Sequence, residues 1–101
     1  MIKFNAGNAT DIPPGSMKVV NIEDTPILIV NVNGIFYAVE NKCSHREAPL
    51  NEGLLEGTNL ICPHHAAQFD LKTGKPTFMM SIPNLKVFSV EVEGDNVIVQ
   101  I

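Results

Sequence analysis

Pro26-Ile27-Leu28-Ile29-Val30-Asn31-Val32, then Asn33-Gly34, then Ile35-Phe36-Tyr37-Ala38-Val39-Glu40, is the stretch that decides the fold. Two runs rich in Val, Ile and aromatic residues flank an Asn-Gly pair. A type I′ turn needs positive φ at both central positions, and Asn-Gly meets that need at little cost. The stretch therefore predicts a β-hairpin. Toward the N-terminus, residues 17–22 (Met-Lys-Val-Val-Asn-Ile) form another short β-prone run. Toward the C-terminus, residues 85–93 alternate, placing Phe88, Val90 and Val92 on one face. Gly94-Asp95-Asn96 then predicts a turn into residues 97–101 and a second hairpin. Shorter strands are expected at 59–62 and 67–71, with a turn at Lys72-Thr73-Gly74-Lys75. No segment carries a sustained helical stripe, no repeat is present, and Pro13-Pro14-Gly15 is a local breaker. The expected class is all-β.

The chain has 101 residues, of which 45% are hydrophobic and 18% charged. One domain spanning 1–101 fits that length, and a core that hides about two-thirds of the unfolded chain's surface is within reach. Seven Lys and Arg stand against eleven Asp and Glu, and Arg46 is the one arginine. Without a basic cluster, phosphate neutralisation fails, so nucleic acid is not an expected partner. No run approaches the roughly 20 apolar residues of a membrane span, and the N-terminus lacks a signal-peptide core. The expectation is a soluble, cytoplasmic monomer.

Between the hairpins lies a region of different character, about residues 41–83. It holds both cysteines, all three histidines and four of the seven prolines. Loops carried on a rigid sheet are where sites usually sit. Cys43-Ser44-His45 and Cys62-Pro63-His64-His65 form two matched pairs, C-x-H and C-x-x-H. Each brings a thiol and an imidazole together, donors that suit iron–sulfur clusters, zinc and copper. In an extended segment Cys43 and His45 point to the same side. A lone Cys is usually a small inert hydrophobe. With two mixed pairs, that reading makes three of the four residues coincidental company. A Cys43–Cys62 disulfide would leave the paired histidines unexplained. A tetrahedral Cys2His2 zinc site remains open on spacing alone. So does a binuclear cluster with both Cys on one iron and both His on the other.

Further residues carry a resemblance. Gly34-Ile35-Phe36-Tyr37-Ala38-Val39 precedes the first pair, and Ala48-Pro49-Leu50 and Gly53 follow it. Gln68-Phe69-Asp70 and Thr73-Gly74-Lys75 follow the second, with Val90-Glu91-Val92-Glu93-Gly94-Asp95 near the end. Over nearly its whole length the chain resembles the Rieske-type ferredoxins that feed electrons to bacterial aromatic-ring dioxygenases. The resemblance implies a Rieske-like antiparallel β-sandwich with a loop-rich cluster-binding subdomain. It implies one [2Fe–2S] cluster, with Cys43 and Cys62 on the buried iron and His45 and His65 on the outer one. His64 stands at the variable position and reads as a bystander. A flavin-dependent reductase would be the electron donor and a terminal oxygenase the acceptor. The rim around His45, His65, Pro49 and Leu50 would be the docking face, flanked by Arg46, Glu47, Glu52 and Glu56. The chain itself would be an electron-transfer component, not an enzyme. Alternatives are a small subunit of a larger, nitrite-reductase-like oxidoreductase and a zinc-bound structural module.

Some positions depart from relatives with higher potentials. Ala48 and His64 stand where respiratory Rieske proteins carry a bracing disulfide. Ala67 and Phe69 stand where those proteins place a Ser and a Tyr that donate to the sulfurs. Fewer donors imply a potential at the low end of the Rieske range, about −150 mV. Ala66 replaces a usual Gly, which implies local strain if positive φ is needed there. Met79-Met80-Ser81-Ile82-Pro83 occupies the place of a Pro-rich flap. Histidine ligands also imply a pH-dependent potential.

Overall fold

The computed structural model describes residues 3–41, 53–62, 68–78 and 84–101. The expected ligands Cys43, His45 and His65, the neighbours His64, Arg46, Glu47, Ala48, Pro49, Leu50, Glu52, Ala66 and Ala67, and the flap at 79–83 lie outside the described residues.

Ten strands are described: β1 (Lys3–Asn8), β2 (Met17–Ile22), β3 (Thr25–Val32), β4 (Ile35–Glu40), β5 (Leu54–Glu56), β6 (Asn59–Ile61), β7 (Gln68–Asp70), β8 (Pro76–Phe78), β9 (Val87–Glu93) and β10 (Asn96–Gln100). They form two antiparallel sheets. One has six strands in the order β1-β10-β9-β4-β3-β2; the other has four, β5-β6-β7-β8. The Asn-Gly hairpin forms as its sequence requires. Val32 pairs with Ile35, and Asn33 and Gly34 both have positive φ, 53° and 91°.

Strand β3 explains why its sequence is almost continuously apolar. It is buried on both faces, as central strands covered on both sides must be. Ile27 and Ile29 join Ala6, Ile12, Ile22, Ala38, Phe88, Val97 and Val99 in a core within the six-stranded sheet. Leu28, Val30 and Val32 face the other way. They pack with Val39, Leu60, Cys62, Phe69, Leu71 and Leu85 in a second core, which fastens the small sheet to the large one. Asn31 is the buried polar residue of this strand among those described. Its Nδ2 donates to the Ile12 carbonyl at 2.7 Å, and its Oδ1 accepts from the Gly34 N–H at 2.8 Å. Burial is therefore matched by hydrogen bonding.

Beside the inter-sheet core, one glycine ties the β7–β8 turn to the segment entering β9. Gly74 has φ 77°, its N–H donates to the Asp70 carbonyl, and its carbonyl accepts from the Leu85 N–H, both at 2.7 Å. A Cβ at this position would meet the Leu85 carbonyl oxygen and the Val87 side chain. Only glycine allows both the backbone conformation and the close approach.

The strand at 85–93 starts later than expected, at Val87. Leu85 is drawn instead into the inter-sheet core by its bond to Gly74. The expected inner face of β9 also fades along its length: Phe88 is buried and Val92 is 45% exposed. The cause is topological. β4 pairs with β9 only at Ala38 and Val39, so beyond that contact β9 is flanked by β10 alone among the described strands. Strands β1, β5 and β8 were not anticipated, because Lys3–Asn8 carries Asn and Gly, and the other two are three residues long.

Candidate metal centre

The register of the small sheet organises the central segment. Leu54 pairs with Ile61, Ile61 with Gln68, and Gln68 with Phe78. These four residues form one row across four neighbouring strands. The segment 42–52 enters β5 one residue before this row. Segment 63–67 connects β6 to β7 beyond it, and segment 79–83 leaves β8 from it. Antiparallel strands joined by short turns at their other ends bring this about. Gly57, with φ 59°, turns β5 into β6, and Lys72–Lys75 turns β7 into β8. The two segments that carry the C-x-H and C-P-x-H pairs thus attach to the same end of one sheet.

Cys62 is the one candidate ligand among the described residues. It follows β6 directly, is 1% exposed, and lies in the inter-sheet core with Leu60 and Phe69. Leu60 and Cys62 are two apart, so an extended chain turns both to the same face. A sulfur position this dry excludes water from whatever the thiolate binds, which suits the buried iron of a two-iron cluster. Cys43, His45 and His65 lie outside the described residues, as do His64, Pro49 and Leu50. Among the described residues no three metal-ligating side chains converge. Two thiols and two imidazoles match the donor set of an iron–sulfur centre with mixed ligation.

Phe69 presents an apolar ring beside Cys62 in the inter-sheet core. It is fully buried and pairs with Leu60 across the sheet. It offers no hydroxyl to a sulfur.

Leu54 was missed in the sequence. It is 69% exposed, on edge strand β5 beside Ile61, one residue from Cys62. Its neighbour Leu55 packs against the inter-sheet core. No sequence signal marked it, since the strand that turns Leu54 outward and Leu55 inward is only three residues long.

Known proteins match the chain over nearly its whole length. The Rieske [2Fe–2S] domain family matches residues 3–98. The 3-phenylpropionate/cinnamic acid dioxygenase ferredoxin subunit of Escherichia coli (strain K12) is 36% identical over 103 residues, covering 100% of this chain and 95% of the relative. The ferredoxin of carbazole 1,9a-dioxygenase from Nocardioides aromaticivorans IC177 superposes with a TM-score of 0.91 at 26% identity, covering 98% of this chain and 97% of that one. A chain in a complex of reduced oxygenase and oxidized ferredoxin in carbazole 1,9a-dioxygenase gives a TM-score of 0.90 at 36% identity, with 97% and 92% covered.

Proposed function

The chain belongs to the Rieske [2Fe–2S] domain family, and from that premise we propose that Cys43 and Cys62 hold one iron of its cluster and His45 and His65 the other. The chain is an electron-transfer component and holds one Rieske-type [2Fe–2S] cluster. The zinc alternative ends with the family assignment. When bound, the cluster takes up and releases one electron. The protein's own tasks are to hold it, keep water from its inner side and present its outer side to partners. One observation carries the ligand reading: both motif-bearing segments attach to the same end of the small sheet, with Cys62 in the dry core.

The direction of electron flow follows from likeness. The relative above is named as a dioxygenase ferredoxin subunit, and the solved complex pairs an oxygenase with a ferredoxin. This chain takes electrons from a flavin-dependent reductase and passes them to a terminal oxygenase. The docking rim comprises His45, His65, Pro49 and Leu50, with Leu54 and Glu56 at its edge. The potential lies at the low end of the Rieske range, about −150 mV, because Ala67 and Phe69 supply no side-chain donor to the sulfurs. The setting we propose is the cytoplasm, because two cysteines would be a thin disulfide framework for a secreted domain.

The test is a low-temperature EPR spectrum of the dithionite-reduced protein beside iron and acid-labile sulfide assays. About two irons and two sulfides per chain are expected, with a rhombic signal of lower average g than a four-cysteine cluster gives. Normal cluster content in a His45→Ala or His65→Ala variant would overturn the ligand assignment.

A further inference from the structure

The chain contains a single Asn-Gly pair, Asn33-Gly34. Such a pair is chemically labile, because the following residue has no side chain to hinder attack by its backbone nitrogen. Both residues are exposed. The turn nonetheless holds the register of the hairpin whose second strand leads into the first motif-bearing segment. We propose that Asn33 is a deamidation site of this chain and that Asn31 is built to restrain it.

The reaction needs the Gly34 nitrogen to lose its proton and attack the Asn33 side-chain carbon. A C–N bond forms, the bond from that carbon to Nδ2 breaks, and ammonia leaves. Water then opens the cyclic imide to aspartate or isoaspartate. Asn31 opposes the first step. Its Oδ1 accepts the Gly34 N–H at 2.8 Å. An acceptor oxygen at that distance stabilises the protonated nitrogen and repels the anion that must form. Asn31 is not at liberty to turn over, because it is 4% exposed and its Nδ2 is committed to the Ile12 carbonyl at 2.7 Å. Both ends of its amide are thereby assigned, and the acceptor end faces Gly34.

The location gives the reaction a consequence. Asn33 borders one hollow with Gly15, Leu55 and Gly57, so the turn abuts the β5–β6 hairpin of the cluster-bearing sheet. Isoaspartate at 33 would add one methylene to the backbone of a two-residue turn and a negative charge beside that hairpin.

The experiment incubates the cluster-loaded protein at mildly alkaline pH. Mass gain in the peptide containing Asn33 is followed together with isoaspartate labelling by a carboxyl methyltransferase. Folded protein should react at least tenfold more slowly than the same chain in urea. Asn31→Ala should raise the folded-state rate about tenfold, the factor carried by one hydrogen bond of about 1.4 kcal/mol. Asn31→Asp keeps an acceptor toward Gly34 while losing the donor to the Ile12 carbonyl, so at the stability of Asn31→Ala, matched with urea, it should stay slow. Val97→Ala, brought to the same stability as Asn31→Ala with urea, should leave the rate near that of the unaltered protein. Equal rates in folded and unfolded chains would overturn the proposal. So would a fast Asn31→Asp variant, or a Val97→Ala variant as fast as Asn31→Ala.

Discussion

The two sheets of this molecule solve the problem of stability differently. The six-stranded sheet has strands of five to eight residues and a core of its own. Every strand of the four-stranded sheet is three residues long, and its buried side chains, Leu60, Phe69 and Leu71, are shared with β3 and β4. Strands this short do not stand alone in water. The small sheet is therefore a dependent structure, held by the frame it packs against. The region that needs exact placement of ligands has the least intrinsic stability, and it is positioned by what it touches.

The largest test of that contrast is removal of the cluster. Cys62→Ser should abolish the visible absorption and the labile sulfide. Hydrogen exchange should then quicken in β5–β8 while the β3 amides remain protected. Equal loss of protection in both sheets would show that the two are one cooperative unit. Next comes the shared core. Phe69→Ala should cost about 3–5 kcal/mol, the range for emptying a buried aromatic site, and is read by urea denaturation. A loss under about 1 kcal/mol would mean that the small sheet relaxes around the cavity. At the β7–β8 turn, Gly74→Ala forces a Cβ into Leu85 and strains a positive φ. A cost of about 1–3 kcal/mol is expected, together with faster cluster loss at raised temperature.

The smallest effect belongs to the frame's exposed rim. Lys3 Nζ lies 3.1 Å from Glu91 Oε1, with both side chains more than half exposed. The hydrogen bond from Lys3 to Glu91, then the charges of Glu91 and Glu93, raise the lysine's pKa above 10.5. A raised folded-state value means the bridge contributes fully below the ordinary lysine range and is lost as pH rises through the raised one. Lys3→Ala should therefore lower the thermal midpoint slightly at neutral pH. The difference should vanish at strongly alkaline pH and shrink with added salt.

Much of the frame was legible because local chemistry and global fold coincide there. Asn33-Gly34 names its own turn, and the alternating faces of β3 each find a core. Other turns were silent. Glu23 and Asp24 both adopt positive φ, 50° and 66°, with neither glycine nor asparagine to announce it, and the pairing of Ile22 with Thr25 imposes that conformation. The three-residue strands β5 and β8 were beyond reading, since their extended form comes from neighbours across the sheet rather than from propensity. Of the site, the donor chemistry was legible from the pairing of Cys with His. The alignment of Leu54, Ile61, Gln68 and Phe78 was not, because register arises between strands.

That alignment has a consequence for how such a protein can change. Its joints are backbone hydrogen bonds, which are blind to side-chain identity. The strands that receive the segments 42–52, 63–67 and 79–83 meet them at that one row. A segment exchanged with that of a relative that keeps the Cys and His pairs meets the same backbone positions of the receiving strands. Redox tuning and partner choice are thus open to piecemeal revision while the chassis stays the same.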